Sequence, residues 1–171
     1  LSELTRSAAY ALEMRPDGRI TVAWSTPHVG VVSGYTPEEL NQLGWEKVVH
    51  PEDRRLAREM LNRAAQGDIA RSPIRYIAKD GSVRDVLHYL TPYQRDAFGT
   101  VLLGAVVDVT EWKAAERALS ESEARFREIA DAVSDIFWMV SVPDIRILYL
   151  NKACERAWGR TAAELRENPA T

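Results

Sequence analysis

The sequence contains one cysteine, Cys154, which excludes an intrachain disulfide and a zinc site built from several thiolates. No apolar run approaches the roughly 20 residues that span a bilayer, and the first residues lack the order of a signal peptide. Positive charge is not in excess, because 22 Lys and Arg face 25 Asp and Glu. We therefore expect a cytoplasmic chain with no nucleic-acid partner and no direct membrane contact.

Patterns typical of catalysis are also missing. The sequence has no HExxH motif, no glycine-rich phosphate loop and no Ser, His and Asp in a catalytic order. The adjacent acids Glu38-Glu39 and Glu52-Asp53 stand at predicted helix starts, where the helix dipole accounts for them. We expect a regulatory fragment with no catalytic residue and no metal site.

Elements of regular structure are well marked along the first half of the chain. Two short runs around Pro16-Asp17-Gly18 predict a β-hairpin. Thr36-Pro37-Glu38-Glu39 is a capping box that starts a short helix at Pro37. His50-Pro51-Glu52-Asp53 opens a helix of about four turns that ends at Gly67.

From Ser72 the apolar pattern predicts three antiparallel strands, with turns at Lys79 to Ser82 and at Asp96 to Gly99. A helix follows, with Thr110 as its N-cap. Along this helix, apolar and small residues recur at alternating spacings of three and four, which predicts an adjustable coiled-coil seam and a homodimer. The seam positions are Trp112, Ala115, Leu119, Ser122, Phe126, Ile129 and Val133.

The two ends of the chain share a pattern. Its first copy is Pro16-Asp17, Arg19-Ile20, Gly34, Thr36 and Glu39-Leu40, and its second copy is Pro143-Asp144, Arg146-Ile147, Gly159, Thr161 and Glu164-Leu165. The second copy is followed by no equivalent of the long helix and the three closing strands. We therefore expect one full domain and the first part of another.

Four motifs in this order resemble PAS domains with their C-terminal PAC segment, in particular those of bacterial histidine kinases and diguanylate cyclases. The motifs are Gly34-Tyr-Thr-Pro-Glu-Glu-Leu40, Val49-His-Pro-Glu-Asp-Arg54, Lys79-Asp-Gly-Ser82 and Asp108-Val-Thr-Glu-Trp-Lys-Ala-Ala-Glu-Arg117. The resemblance implies an α+β fold, with a five-stranded antiparallel sheet, short helices on one face and a coiled-coil-like linker helix. It implies a PAS domain with its PAC segment at 1–111, a signalling linker helix at 112–130 and a truncated second PAS domain at 131–171.

The resemblance also implies a pocket between the sheet and the helices, which holds a cofactor, a metabolite or nothing. The candidate lining residues are Trp24, Val32, Trp45, Val48, Leu56, Met60, Ile74, Tyr76, Leu87, Val101 and Leu103. Plain core packing accounts for apolar residues at the same positions. Haem is not expected, since residues 52–65 contain no histidine, and Cys154 lies in the wrong domain for a flavin–cysteinyl adduct. Non-covalent flavin, stacked on Trp24 or Trp45, stays open, as does a small metabolite held by Arg75, Arg84 or His88.

By the same resemblance, Asp108 and Thr110 couple the last strand to the exit helix, and Lys113 is a local cation for Asp108. A purely structural cap is the alternative. We expect a sensory and signal-relay module of a sensor histidine kinase, with the output domain further along the same chain. The alternatives are a sensor module of a diguanylate cyclase and a dimerisation scaffold without a ligand.

Overall fold

The computed structural model describes residues 7–96, 99–142, 144 and 146–167. The chain divides into two compact units at the step from Lys113 to Ala114. The first contains β1 (Ser7–Met14), β2 (Ile20–Ser25), α1 (His28–Ser33), α2 (Pro37–Leu43), α3 (Trp45–Val48), a 3₁₀ turn (Pro51–Asp53), α4 (Arg54–Ala65), β3 (Ala70–Ile77), β4 (Val83–Asp96), β5 (Gly99–Asp108) and the start of α5 (Thr110–Ala132). The second contains the rest of α5, β6 (Trp138–Val140), β7 (Ile147–Leu150), α6 (Lys152–Trp158) and α7 (Ala162–Glu167).

Five strands of the first unit form one antiparallel sheet in the order β2-β1-β5-β4-β3. The first strand of the unit pairs with the last at the centre, where Tyr10 stands opposite Gly104. This arrangement confirms the predicted α+β fold with a five-stranded antiparallel sheet. The predicted turn from Asp96 to Gly99 contains Ala97 and Phe98, which lie outside the described residues.

One face of the sheet and the apolar side of α4 form the core. Successive residues of a strand point to opposite faces, so the buried positions alternate with more exposed ones. The helix contributes positions three and four apart, as an amphipathic helix does. The buried core residues are Ala8, Tyr10, Leu12, Val32, Val49, Ala57, Met60, Leu61, Ala64, Ala70, Ile74, Val86, Leu90, Leu102 and Val106.

The predicted capping box at the start of α2 is present. The Thr36 Oγ1 atom accepts the Glu39 backbone N–H at 3.2 Å, and a Glu39 carboxylate oxygen accepts the Thr36 backbone N–H at 3.1 Å. These two bonds satisfy donors that the start of a helix leaves free. The same device starts α7, where the Thr161 backbone N–H donates to a Glu164 carboxylate oxygen at 2.7 Å.

The second unit is organised around the side chain of Asn151, which is fully buried. Its Nδ2 atom donates to the carbonyl oxygens of Ala130 and Asp135, each at 2.9 Å, and its Oδ1 atom accepts the Phe137 backbone N–H at 3.1 Å. The predicted repeat runs through Pro143, which lies outside the described residues. That this unit begins a second PAS domain stays a prediction.

The longest helix, α5, has 23 residues and is mostly charged or small on its surface. Within the described ranges, no helix is both long and apolar enough to cross a membrane. The predicted seam lies on this helix, except for Val133, which follows its last residue. Leu119 and Ile129 each expose more than 60% of their surface.

Candidate functional site

A cavity of about 110 Å³ lies in the first unit, between the inner face of the sheet and the short helices. It is somewhat smaller than a cavity of about 150 Å³ that is known to hold benzene, so it is on the scale of a small molecule of up to about one ring. Most of its wall is aliphatic. The polar or amphipathic residues in the wall are Tyr10, Thr21, Ser33, Asn41, Tyr76 and His88.

Four predicted pocket residues line this cavity, namely Val32, Trp45, Val48 and Tyr76. Three more belong to or pack against the core beside it, namely Leu56, Met60 and Ile74. The remaining four lie away from the cavity, at register positions of the opposite sheet face, namely Trp24, Leu87, Val101 and Leu103. Both faces of the central strands carry apolar residues, so a period of two predicts a strand without showing which residues face the helices.

His88 is the most unusual residue of the inner face. It lies on β4, and only 9% of its surface is exposed. Its Nε2 atom is hydrogen-bonded to the hydroxyl of Tyr10 on β1. Its ring centroid lies 5.8 Å from that of Tyr10 and 6.1 Å from that of Tyr76 on β3. Three strands therefore bring one imidazole and two phenols together in the core.

Burial controls the charge of this cluster. It lowers the pKa of His88 to about 4, because a charged imidazole loses its hydration in the core. Burial also raises the pKa of Tyr10, and that of Tyr76. All three side chains are therefore neutral at pH 7. Among the described residues, the wall contains no Asp, Glu, Lys or Arg, so these lining residues carry no charge.

Two other polar side chains of the wall are engaged in holding the fold. The Asn41 amide accepts the Val22 backbone N–H at 2.6 Å and donates to the Val22 carbonyl at 3.1 Å. The Ser33 hydroxyl donates to the Val29 carbonyl at 2.8 Å. In contrast, the His88 Nδ1 atom is buried and has no hydrogen-bond partner within the described part of the chain.

The two arginines predicted as metabolite partners lie outside the cavity wall. The Arg75 guanidinium donates to Asp53 at 2.7 and 2.9 Å and to Glu52 at 2.8 Å, which lowers the pKa of Asp53. Arg84 lies 4.0 Å from the carboxylate of Asp108. Both arginines pair with carboxylates on neighbouring elements, and of the three predicted metabolite partners only His88 lines this cavity.

The junction between β5 and α5 joins four side chains. The Thr110 N–H and hydroxyl donate to Asp108 Oδ1 at 2.9 and 2.5 Å, and Thr110 Oγ1 accepts the Asp85 backbone N–H at 3.0 Å. Lys113 Nζ donates to Asp85 Oδ1 at 2.8 Å. The expected partner of Lys113 was Asp108, but the pairing of β4 with β5 brings Asp85 of β4 to the first turn of α5. Thr110 thus links two strands to the helix instead of acting as a simple N-cap.

Sequence reasoning missed Tyr10 and Asp85. Tyr10 fits an ordinary strand pattern, and its partner His88 is 78 residues away. Asp85 is 28 residues from Lys113 and looks like a solvated strand residue. The available signal for Tyr10 was Gly104, a glycine inside a strand, which often marks a close approach of another group.

The family model described as the PAS fold matches residues 21–106, half of the chain. The chain therefore belongs to the PAS family. The matched residues lie within its first unit, which is therefore a PAS domain.

The chain also shares sequence with a much longer protein. The chain is 33% identical over 110 residues to the protein named uncharacterized protein y4lL of Sinorhizobium fredii, and the match covers 63% of this chain and 13% of that protein. The chain thus spans a small part of the length of this relative.

Solved structures share the fold at low sequence identity. A sensory box histidine kinase/response regulator from Burkholderia thailandensis superposes with a TM-score of 0.54 at 20% identity, covering 74% of this chain and 95% of that one. The PAS domain of a protein from Colwellia psychrerythraea gives a TM-score of 0.50 at 20% identity, covering 63% and 90%. A domain of a sensory box sensor histidine kinase/response regulator from Geobacter sulfurreducens gives 0.50 at 17% identity, covering 60% and 83%.

Proposed function

We propose that this chain senses a small molecule in the cavity of its PAS domain and relays the binding event through α5 to an output domain. The observation that carries the proposal is the position of the cavity relative to the junction. His88 lines the cavity and follows Asp85 by three residues on β4, and Asp85 binds Lys113 of α5. Val106 lines the cavity two residues before Asp108 on β5.

The relay follows from these short connections. A ligand that shifts β4 or β5 moves the carboxylates that hold the first turn of α5. Packed cores and interfaces respond to such shifts by changing between discrete arrangements, since they deform little. A rotation or translation of α5 is the expected output. The motif resemblance favours a histidine kinase as the downstream domain, with a diguanylate cyclase as the alternative.

Filling the cavity should abolish ligand binding. In a panel of neutral and charged molecules of up to about ten heavy atoms, we expect some to raise the melting temperature of the 171-residue chain. At ten times Kd the gain is about 1.4 kcal/mol, or several degrees. The Ala57→Leu variant should lose this response, because the larger side chain occupies the cavity. Differential scanning fluorimetry gives the shift, and amide hydrogen exchange at Val109 and Lys113 reports the relay.

The matched control is Ala105→Leu, the same change on the outer face of β5, which should keep the ligand response. If Ala57→Leu is too poorly folded, Val32→Ile fills the same cavity with one added methylene. A panel without any stabilising member, or stabilisation that survives in both filled variants, contradicts ligand sensing in this cavity. The first result favours the dimerisation scaffold, and the second assigns ligand binding to another part of the chain.

We also propose that the chain forms a homodimer through α5. Support comes from the exposed apolar residues that recur on one stripe of this helix, Trp112, Leu119 and Ile129. Phe126 belongs to the same stripe, but its ring also contacts Phe137 and Tyr149 at centroid distances of 6.1 and 5.3 Å. It therefore contributes to the fold of the second unit as well.

Charge on the stripe should weaken the dimer. We expect the double variant Leu119→Glu and Ile129→Glu to raise the dimer dissociation constant by at least about tenfold, because carboxylates would be buried without partners. Sedimentation equilibrium measures the constant. Ala124→Glu, at an exposed position on the side of the helix opposite the stripe, is the control and should leave it unchanged. An unaltered dimer in the double variant would assign the interface to another surface, such as the outer face of the sheet.

A further inference from the structure

The cluster of Tyr10, Tyr76 and His88 differs from the other buried residues of the inner face of the sheet, which are aliphatic. Tyr10 reaches His88 across β5, the strand that separates them. It can do so because β5 has Gly104 opposite Tyr10, and a Cβ atom there would overlap the phenol ring. The missing side chain at Gly104 therefore creates the path by which the phenol meets the imidazole.

Hydrogen-bond accounting leaves one group of the cluster without a partner. A neutral imidazole carries a hydrogen on one nitrogen and a lone pair on the other. When the Tyr10 hydroxyl donates to Nε2, the hydrogen is on Nδ1, which is then a buried donor. No described residue accepts it. Leaving a buried donor unpaired is costly, so the site is suited to a molecule that brings an acceptor.

The surroundings also restrict the charge and size of that molecule. The carboxylate of Asp85, on β4 itself, and the guanidinium of Arg75, on the neighbouring strand β3, bind other side chains and do not line the cavity. A charged ligand would lose its hydration and find no opposite charge. A volume of about 110 Å³ is on the scale of a single ring.

Resting on the proposed function, we propose that the cavity takes a neutral molecule of about one six-membered ring, with a single oxygen that hydrogen-bonds to the Tyr10–His88 pair. The ring packs against the aliphatic wall between β1 and the short helices. The oxygen accepts the hydrogen on the Nδ1 atom of His88, for which the described residues provide no other acceptor. Cyclic ketones are the simplest members of this class, and carboxylates of the same size are excluded from it.

Three probes with the same ring test the ligand class on the full 171-residue chain. Cyclohexanone carries the acceptor, methylenecyclohexane has the same shape without it, and cyclohexanecarboxylate adds a charge. In titrations followed by ¹⁵N–¹H NMR, we expect the ketone to bind at least about fivefold more tightly than the alkene. The carboxylate should bind at least about tenfold more weakly than the ketone.

Variants assign the preference to the pair. His88→Leu should bring the affinity for the ketone down to about that for the alkene, because it removes the N–H donor. Tyr10→Phe should lose only part of the preference, since it leaves the imidazole but no longer fixes its hydrogen on Nδ1, and His88→Gln, which keeps an N–H donor, should also retain part of it. Tyr89→Phe removes a hydroxyl from the outer face of β4 and serves as the matched control, with unchanged affinities.

Equal binding of ketone and alkene, or tightest binding of the carboxylate, overturns the ligand class and leaves ligand sensing standing. If none of the three probes binds but another panel member stabilises the chain, the ligand class is likewise overturned and ligand sensing still stands. A panel with no stabilising member overturns both proposals.

Discussion

As the pH falls from about 6.5 to about 4, the free energy of unfolding of the wild-type chain should decrease by roughly 3 kcal/mol more than that of His88→Gln. The folded chain keeps His88 neutral down to a pKa of about 4, whereas the unfolded chain binds a proton at its ordinary value of 6.5. Between these values the unfolded state holds more protons, so acid favours unfolding. The facing phenols, Tyr10 and Tyr76, have raised pKa values and stay neutral throughout this range.

Urea unfolding at pH 7, 5.5 and 4.5 measures the effect. Carboxylates with lowered pKa values, such as Asp53 beside Arg75, also lose stabilisation in acid. Their contribution is common to both proteins and cancels in the difference. His28→Gln makes the same substitution outside the cavity and should follow the wild type. Parallel curves for wild type and His88→Gln would mean that His88 is protonated in the fold, which is incompatible with its burial.

Gly104→Ala should destabilise the fold by about 2–3 kcal/mol. The added methyl group would overlap the ring of Tyr10, which is buried and hydrogen-bonded to His88. Relief requires the phenol to leave its position, with loss of that hydrogen bond and of core packing. Chemical denaturation gives the free energy directly.

A double-mutant cycle with Tyr10→Val identifies the cause. The smaller side chain leaves room for the methyl group, so Gly104→Ala should cost much less in the Tyr10→Val background. Gly30→Ala is the control, since a Cβ there lies 3.6 Å from the nearest atom, in ordinary contact. Because Gly30 lies in α1, Gly30→Ala should raise the free energy of unfolding by up to about 1 kcal/mol. An equal cost of Gly104→Ala in both backgrounds would show that the overlap with Tyr10 is not responsible.

What could be predicted from the sequence was local. The capping box at Thr36 and Glu39 lies within four residues, and its hydrogen bonds depend on one turn of backbone. The hairpin turn at Pro16-Asp17-Gly18 and the positions of the strands along the chain follow from equally short sequence patterns. Whether Leu87 and Leu103 face the cavity depends instead on which face of the sheet packs against the helices. Because both faces carry apolar residues, the sequence pattern does not distinguish them.

The candidate site depends on contacts between distant residues. The pair Tyr10–His88 and the pair Asp85–Lys113 exist because β5 pairs with β1 on one side and β4 on the other. Neither pair can be predicted from the spacing of residues within one segment, because each pair joins two distant segments. Register within the sheet decides these contacts, and one residue of slip would exchange them for others.

The buried amide of Asn151 has a mechanical consequence for the exit helix. It joins the carbonyl of Ala130, near the end of α5, to the backbone of Asp135 and Phe137 ahead of β6. Pulling the end of α5 along its axis would strip hydrogen bonds from a group that water does not reach. These hydrogen bonds therefore restrain the short segment between α5 and β6. Under the proposed relay, a movement of the end of α5 would therefore displace the segment that leads into β6.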